Sequence, residues 1–403
     1  MASPAPTLGF RDVLKTSSVK RLWIAQVISV FGDFLAIFAI FSVVTFQLHG
    51  TPFQVAMVLV AFLTPLAIIS PIAGVFVDKW NLKATMITSD LVRAVLVLVL
   101  VFVRDLNAIY GILFAMSVVS AFFVPAQSVA VRTLAPAGGL MAVNALMTQA
   151  MQGAQIITPS ISGLLVDLAG ANTCFLLDTL SFFASAGLVA SLTIRRQAAA
   201  PGVAASGVLS SLMQGMRFIF THRAISFVMI SMACGMFGVR CFGSLLSVWV
   251  RDVLLSNARV FGLLNTLIGI GMIAGSQMVR KLSGRVGPER LVSFGLAGMG
   301  VAVAVTAIFG EMISAVVGML ALGYCAAFIM ITAQTLMQHE TPHELLGRVS
   351  SSMMSVMAIS QVLAMFFAGP VAQQAGLRVL YYGSAVMLVA VGAVGLIQLQ
   401  RRG

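Results

Sequence analysis

The sequence contains very few charged residues. Only 9% of its 403 positions are Asp, Glu, Lys or Arg, and just 12 of them are acidic. Soluble domains carry about 25% charged residues, which cover their water-exposed surface. The shortage therefore excludes a soluble enzyme, a nucleic-acid-binding domain and a disordered tail. Because 60% of the residues are hydrophobic and the mean hydropathy is +1.04, most of the chain must face lipid.

Cysteine is also scarce. The four cysteines, Cys174, Cys234, Cys241 and Cys325, all fall in apolar segments, which excludes a disulfide framework, and no Cys/His spacing resembles a zinc site. No glycine-rich nucleotide-binding loop is present, so ATP is not the direct energy source. We expect no cleavable signal peptide, because the first apolar run, Leu22–Leu48, is too long. The sequence predicts no cofactor, no metal site and no catalytic residue.

Long apolar runs are what the sequence has in abundance. Sixty per cent of 403 residues is roughly 242 apolar residues, and a membrane-spanning helix needs roughly 20 residues. The runs predict an all-α membrane protein with twelve transmembrane helices. The predicted spans are 20–48, 52–77, 84–103, 107–131, 141–168, 171–194, 223–250, 258–279, 290–308, 311–337, 348–374 and 377–399.

The basic residues are distributed unevenly among the predicted loops. When successive loops alternate sides, eighteen Lys and Arg residues fall on one side and four on the other, with Arg93 and Arg240 inside spans. Cytoplasmic loops are the ones enriched in Lys and Arg, so we predict that both termini are cytoplasmic. The net charge of +12 then reflects membrane topology and not a nucleic-acid partner.

The longest polar connection divides the spans into two sets of six. Residues 1–194 are predicted to form an N-terminal six-helix bundle, residues 195–222 a cytoplasmic linker with a surface helix, and residues 223–403 a C-terminal six-helix bundle. The dipeptides Phe-Gly and Ala-Gln recur between the halves at offsets of 206 and 207 positions. These ordered matches favour a duplicated, pseudo-symmetric unit.

The turn after the second span carries a distinctive motif. It reads Gly74-Val-Phe-Val-Asp78-Lys79-Trp-Asn-Leu-Lys83. This basic turn, together with two sets of six spans, resembles the major facilitator superfamily. Other segments are similar to the bacterial drug-exporter branch that contains macrolide and siderophore exporters. Those segments are Phe31-Gly32-Asp33, Ser89-Asp90-Leu-Val-Arg93, Pro125-Ala-Gln127, Asp178-Thr-Leu-Ser181-Phe182 and Gly347-Arg348-Val349.

The resemblance implies a conformational latch at the cytoplasmic helix ends. Within it, Asp90 and Arg93 are three residues apart on one helix face, so we expect them to pair. The alternative for the turn itself is a solvated connection without a functional role. The predicted latch residues are Gly74, Asp78, Lys79, Lys83, Asp90, Arg93, Arg132 and Arg348.

Span five departs from the branch in one motif. Related exporters often have Gly-Pro-x-x-Gly-Gly there, whereas this chain has Thr158-Pro-Ser-Ile-Ser-Gly163. Pro159 removes a backbone hydrogen bond, so Pro159 and Gly163 predict a helix kink. The kink is either a structural bend or part of an antiport device.

Three of the charged residues within the predicted spans are candidates for the transport chemistry. Asp33 is near the middle of span one, where a carboxylate costs roughly 2.5–3.5 kcal/mol. It either carries a proton across the membrane or forms a structural pair, with Arg240 as its partner. Arg240 cannot shed its charge, so it is either the counter-ion of Asp33 or an anchor for an anionic substrate group. Asp178 is a second proton-coupling candidate, unless it merely bonds to Ser181 or nearby backbone.

In a transporter built of two halves, the first helix of each half lines the central cavity. The 24 methionines and 27 phenylalanines suit a deformable pocket, although lipid contact and packing account for them equally well. The predicted cavity residues are Phe31, Phe34, Phe38, Gln127, Phe237, Arg240, Phe242 and Gln334.

Together these features predict a secondary active transporter that works by alternating access. We expect it to export an amphiphilic or drug-like small molecule by proton-coupled antiport. Its partners would be the substrate, protons and membrane lipids, and we expect a monomer in a bacterial inner membrane. One alternative is a uniporter, a symporter, or a lipid, siderophore or metal transporter of the same fold. The other is a non-transporting membrane receptor or scaffold.

Overall fold

The computed structural model describes residues 8–77, 80–194, 219–341 and 346–400. Every regular element within these ranges is helical. This confirms the predicted all-α class for the described chain. The physical reason is that a helix satisfies its backbone hydrogen bonds within one apolar segment, which a membrane requires.

The helices are numbered here in chain order. Those before residue 195 are α1 (Phe10–Leu14), α2 (Ser17–Ser42), α3 (Pro52–Val77), α4 (Leu82–Leu100), α5 (Leu106–Leu134), α6 (Leu140–Ala169) and α7 (Ala171–Ala190). Those after residue 218 are α8 (Arg223–Gly243), α9 (Leu246–Asp252), α10 (Ala258–Leu282), α11 (Pro288–Phe309), α12 (Met312–Glu340), α13 (Leu346–Ala375) and α14 (Leu377–Gln400).

Ten helical segments of the described chain are long and apolar enough to cross a membrane. The predicted spans in α4 and α6 are not among them. Helix α4 carries Lys83, Asp90 and Arg93 within 19 residues, and α6 is rich in glutamine and hydroxyl residues. The helical, multi-span architecture is therefore confirmed, while the count of twelve spans stays a prediction.

The helices group into two units. Unit 1 contains the described residues up to Leu48 and those from Val60 to Ile194. Unit 2 contains His49–Leu59 and the described residues from Ile219 onward. The linker was predicted at residues 195–222. Residues 195–218, which include most of that linker and its predicted surface helix, lie outside the described residues.

Within unit 1, α2 packs against α6 and α7, and α4 packs against α5 and α7. The hydroxyl of Ser162 in α6 donates to the carbonyl oxygen of Leu35 in α2 at 3.0 Å. Three residues before Leu35, Gly32 lies directly against Asp178 and Ser181 of α7. These contacts hold the middle of α2 and of α4 beside α7.

Within unit 2, α10 and α11 both pack against α12, and α11 also packs against α14. Small residues allow the closest approach. A Cβ atom added to Gly323 of α12 would collide with the carbonyl oxygen of Ile268 in α10, and one added to Gly271 would collide with that of Leu320. Such backbone contact is how helices associate in lipid, where apolar burial gives no driving force.

Two of the predicted spans are interrupted near their ends. Helix α2 is followed by a π-helical turn, Val43–Gln47, and α8 ends at Gly243 before α9 begins at Leu246. The sequence analysis treated both spans as regular helices. At the α8 break, the Tyr381 hydroxyl donates to the carbonyl of Phe242 at 3.1 Å, so a side chain from α14 helps to stabilise the interruption.

Candidate functional site

Arg93 lies at the centre of a buried cluster of charges in unit 1. Its side chain is only 4% exposed. Nη2 donates to Oδ1 of Asp90 at 2.5 Å, and Nη1 lies 3.7 Å from Oδ2 of Asp33. Asp90 is on the same helix, three residues earlier, so the predicted pairing of these two residues is observed. Asp33 is on α2, so one guanidinium links two helices.

Two aromatic rings contact the Arg93 guanidinium. Its Cζ atom lies 4.4 Å from the ring centroid of Phe123 in α5 and 4.4 Å from that of Phe182 in α7. A cation over an aromatic face is attracted by the negative charge of the ring. Nε of Arg93 has no hydrogen-bond partner among the described residues. The rings and the carboxylates together therefore position Arg93.

The other two acidic residues of the cluster are fully buried. Ser185 donates to Oδ2 of Asp90 at 2.8 Å. Ser181 donates to Oδ1 of Asp178 at 3.0 Å, while Oδ2 of Asp178 has no partner within the described ranges. A buried carboxylate oxygen without a donor is costly, so Asp178 is an unusual residue to find here. Its bond to Ser181 was anticipated from the sequence as the ordinary alternative to proton coupling.

A glycine brings the two proton-coupling candidates close together. A Cβ atom at Gly32 would collide with Oδ1 of Asp178 and Oγ of Ser181, so only glycine lets α2 approach α7 here. Asp178 interacts electrostatically with Asp33, with Arg93 and with Asp90. If all were ionised, the cluster would hold three negative charges against one positive charge.

The members of the cluster differ in access to the surroundings. The Asp33 side chain is 32% exposed, whereas Asp90 and Asp178 are 0% exposed. Asp33 is thus the accessible carboxylate of the cluster, and the other two carboxylates are buried. The sequence analysis suggested Arg240 as the partner for Asp33, but the ion pair that the structure contains is with Arg93.

Arg240 lies near the end of α8 in unit 2 and is half-buried. Its side chain forms no hydrogen bond or ion pair with any residue in the ranges that the structure describes. A cation in such a position needs a partner. The substrate-anchor and counter-ion hypotheses for Arg240 therefore both stay predictions.

The remaining cavity candidates in unit 1 are partly accessible. Phe31, Phe34 and Phe38 of α2 are half-buried. The side-chain amide of Gln127 in α5 donates to the side-chain oxygen of Gln26 in α2. Gln127 therefore forms a hydrogen bond within unit 1, and its role at a substrate cavity stays a prediction.

One cavity candidate in unit 2 is a core residue. Phe242 is 0% exposed, and its ring centroid lies 4.6 Å from that of Tyr381. The prediction that Phe242 lines a cavity is wrong for this structure, because the residue packs under the helix break at the end of α8. Phe237 is half-buried against Phe367 at 5.9 Å, and Gln334 is exposed.

The predicted latch is only partly within the described residues. Asp78 and Lys79 lie outside them, Gly74 falls in α3, and Arg348 falls in α13. Lys83 is half-buried and Arg132 is exposed, and neither forms an ion pair with the described part of the chain. Asp90 and Arg93 lie in the buried cluster with Asp33 and Asp178. The predicted latch itself stays a prediction.

The span-five motif packs close to the cluster. Helix α6 continues through Pro159, and both Pro159 and Gly163 are buried. Ser162, at a position where related exporters often have glycine, bonds to the backbone of Leu35, two residues after Asp33. The motif therefore links α6 to the part of α2 that carries Asp33, whether or not the helix kinks there.

Comparison with known proteins identifies the family. Residues 12–402 match the model of the transmembrane secretion effector family, which belongs to the major facilitator superfamily (MFS). The chain is an MFS transporter. Members of this family are multi-pass membrane transporters and not enzymes, in agreement with the sequence analysis.

Named relatives of this MFS transporter include drug exporters. It is 24% identical to the uncharacterised MFS-type transporter YfiS of Bacillus subtilis over 93% of this chain and 91% of that protein. It is 26% identical to the multidrug efflux pump Tap of Mycolicibacterium fortuitum (86% and 88% of the chains). It is 19% identical to macrolide efflux protein A of Streptococcus pyogenes (93% and 94%).

Solved structures share the fold of the MFS transporter. The nucleoside transporter NupG superposes with a TM-score of 0.75 at 12% identity, covering 94% of this chain and 99% of that one. A peptide transporter of the POT family superposes with a TM-score of 0.73 at 9% identity, covering 98% and 99%. At these identities the likeness concerns the fold alone.

Proposed function

We propose that this transporter exports an amphiphilic or drug-like small molecule in exchange for protons. The observation that carries the proposal is the buried cluster of Asp33, Asp90, Arg93 and Asp178 in unit 1. A proton leaving or entering this cluster would change the charge that α2 presents to α4 and α7. Such a change in a packed, low-dielectric interior can bias one arrangement of helices against another.

The charge count supports proton binding. One guanidinium compensates one carboxylate, and Asp90 is closest to it, at 2.5 Å. Two uncompensated carboxylates in one buried group repel each other strongly. The cluster is therefore suited to hold a proton, and the 32% exposure of Asp33 offers that proton a route in and out.

The energetics are sufficient for export. A proton crossing a 100 mV potential supplies about 2.3 kcal/mol. One tenfold concentration ratio corresponds to about 1.4 kcal/mol, so one proton per molecule sustains a roughly fifty-fold gradient of an uncharged cargo. A pH difference in the same direction increases that ratio.

The nature of the cargo is supported by the relatives. Tap is named a multidrug efflux pump and macrolide efflux protein A is named for macrolides. Both kinds of name fit an amphiphilic compound, and they favour export over uptake. They also favour a bacterial plasma membrane as the location, with a small molecule as the partner. The cytoplasmic position of both termini rests on the distribution of basic residues.

A transport assay with a matched control tests the proposal. Purified protein is reconstituted into vesicles with an acidic lumen, and uptake of radiolabelled erythromycin and of ethidium is measured. We expect Asp33→Asn to reduce uphill uptake at least tenfold while downhill exchange continues. The control is Asp12→Asn. Asp12 is exposed and bonded to Lys15 at 2.8 Å, and this hydrogen bond lowers the pKa of Asp12, so it stays ionised during the assay.

Undiminished uphill uptake by the Asp33→Asn variant would remove Asp33 as the coupling residue. Facilitated passage without proton coupling, the first alternative, would appear as downhill flux that the pH gradient does not change. A receptor or scaffold, the second alternative, would show no flux of either compound in any gradient. The buried charges argue against a scaffold, because ionisable groups in a membrane are costly without a role.

A further inference from the structure

A cavity of about 520 Å³ opens between α4 and α5 on unit 1. It begins beside Trp80 and follows the face of α4 that includes Thr88 and Val92, with Phe122 of α5 as the opposite wall. Small-molecule sites typically have volumes of about 300–1,000 Å³. The cavity is thus large enough for a ligand, and it is separate from the charge cluster.

An aromatic pair forms one end of the cavity. The rings of Trp80 and Phe122 are stacked at 5.5 Å between centroids, with 17° between their planes. Trp80 is 46% exposed, so its indole remains available to a second flat or apolar group. Indole side chains favour the interfacial region of a membrane, where amphiphiles also reside.

A hydroxyl without a partner among the described residues belongs to Ser89, which lines the cavity. Ser89 is only 5% exposed and lines the cavity, yet its hydroxyl forms no hydrogen bond with any residue in the described chain. Thr85, which lines the same cavity, bonds instead to the carbonyl oxygen of Asn81 at 3.0 Å. Ser89 is therefore free to bond to a ligand, since a buried hydroxyl normally finds a partner.

The lining determines the chemistry of the ligand. None of the nine residues that line the cavity has an ionisable side chain. The walls are apolar or aromatic, and the polar side-chain groups are hydroxyls, the amide of Asn81 and the indole N–H of Trp80. This combination fits the uncharged part of an amphiphile, with hydroxyl, ether or amide groups on an apolar body. A phospholipid phosphate would find no cation among the lining residues.

We propose that this α4–α5 cavity binds the amphiphilic cargo before it is transported. The inference rests on the proposed function, because it takes the cargo to be an amphiphile. The ligand's apolar body lies between Val92 and Phe122, its flat or apolar end meets Trp80, and a polar group bonds to Ser89.

The position of the cavity links the cargo to the charge cluster. Val92 lines the cavity, and the next residue, Arg93, is the centre of the cluster. Phe122 lines the cavity as well, and the next residue, Phe123, stacks on the Arg93 guanidinium at 4.4 Å. A ligand that separates Val92 from Phe122 would therefore disturb the aromatic clamp around Arg93. This gives cargo binding a direct path to the proton-binding group.

Tryptophan fluorescence tests the binding step without any proton gradient. The chain has 3 tryptophans, and Trp80 is the one at the cavity. The protein in lipid nanodiscs is titrated with dibromododecyl maltoside, an uncharged amphiphile whose bromines quench nearby indoles. We expect saturable quenching, and we expect the saturable part to disappear in Trp80→Phe, which retains an aromatic ring against Phe122.

Substitutions in the cavity measure its contribution. We expect Ser89→Ala to weaken the binding about two- to tenfold, as loss of one neutral hydrogen bond does. Ala84→Phe should abolish it by filling the cavity. Ser128→Ala and Leu91→Phe are the matched controls, because the Ser128 hydroxyl is satisfied within its own helix and Leu91 is an exposed residue of α4 outside the lining. Both controls should bind as the unmodified protein does.

Saturable quenching that survives in both Trp80→Phe and Ala84→Phe would overturn the site. Equal, saturable quenching by a dibrominated phosphatidylglycerol would also overturn the proposal, since the cavity would then be a lipid site. Erythromycin should compete with the maltoside. If the vesicles transport erythromycin but it does not compete, the cavity is not on the cargo path, although the exporter function stands.

Discussion

Removing the Arg93 guanidinium tests whether the buried charges form one interacting network. Arg93→Met keeps much of the side-chain volume but removes the charge, the 2.5 Å bond to Asp90 and both aromatic stacking contacts. Asp90 would then be left fully buried with Ser185 as its remaining partner. The variant therefore exposes the cost of an uncompensated carboxylate in the interior of unit 1.

The expected magnitude follows from the burial of both partners. Breaking a buried ion pair by removing one member typically costs about 3–5 kcal/mol, whereas replacing both members by apolar residues is often close to neutral. We expect Arg93→Met to lower the free energy of unfolding by about 3–5 kcal/mol. The double variant Asp90→Leu with Arg93→Met should be at least about 2 kcal/mol more stable than Arg93→Met alone.

Unfolding in mixed micelles, followed by circular dichroism during a titration with sodium dodecyl sulfate, provides the measurement. The exposed pair Asp12 and Lys15, at 2.8 Å, is the control, and the same cycle there should show no measurable coupling because surface ion pairs contribute little. If the double variant is no more stable than Arg93→Met, the carboxylate is not held in place by Arg93. The charge-cluster argument would then be wrong.

Two further predictions concern unit 2. Gly323→Ala should destabilise the protein by about 1–3 kcal/mol, because its Cβ would meet a backbone carbonyl of α10. Gly111→Ala, with nothing near its Cβ, should leave the stability unchanged or raise it by up to about 1 kcal/mol in the same unfolding titration, because Ala favours a helix over Gly. The Arg251 side chain donates to the backbone carbonyl of Gly50 at 2.9 Å, and a charged hydrogen bond contributes about 1.5–3 kcal/mol. Arg251→Gln should therefore accelerate amide hydrogen exchange around Gly50 about tenfold or more. The exposed Arg259→Gln is its control, and unchanged exchange in Arg251→Gln would contradict the assigned contact.

The helical architecture could be predicted because it depends on composition. Apolar runs about 20 residues long form membrane helices whatever their neighbours are. The membrane span was least clear in α4, where the charged residues Lys83, Asp90 and Arg93 lower the hydropathy of the segment. Two of those charges, Asp90 and Arg93, belong to the buried charge cluster, so the least regular part of the apolar pattern indicated the candidate site.

The individual charges were visible in the sequence, but their convergence was not. Asp90 and Arg93 are three residues apart, which predicts their pair from helix geometry alone. That Asp33 joins them depends on how α2 and α4 pack together with α7, and no local pattern encodes this. The sequence analysis consequently considered Arg240, and not Arg93, as a partner for Asp33, as the alternative to proton carriage.

Three members of the site escaped prediction because they carry no charge. Phe123 and Phe182 stack on Arg93, and Ser185 bonds to Asp90. Phenylalanine is so frequent here, with 27 residues, that none stands out. One usable signal existed, because Asp178 and Ser185 are seven residues apart on α7 and therefore share a helix face.

Helix α2 is the element through which a proton at Asp33 can act on the rest of unit 1. Gly32 presses it against Asp178 on α7, and Ser162 on α6 bonds to its backbone at Leu35. Asp33 lies between these two contacts and reaches Arg93 on α4 at 3.7 Å. A change in its charge therefore acts directly on the ion pair between α2 and α4, whereas Gly32 contacts α7 by close packing and Leu35 contacts α6 through a hydrogen bond. Such a helix can rotate or shift about fixed points, which is what the proposed proton-coupled exchange requires of it.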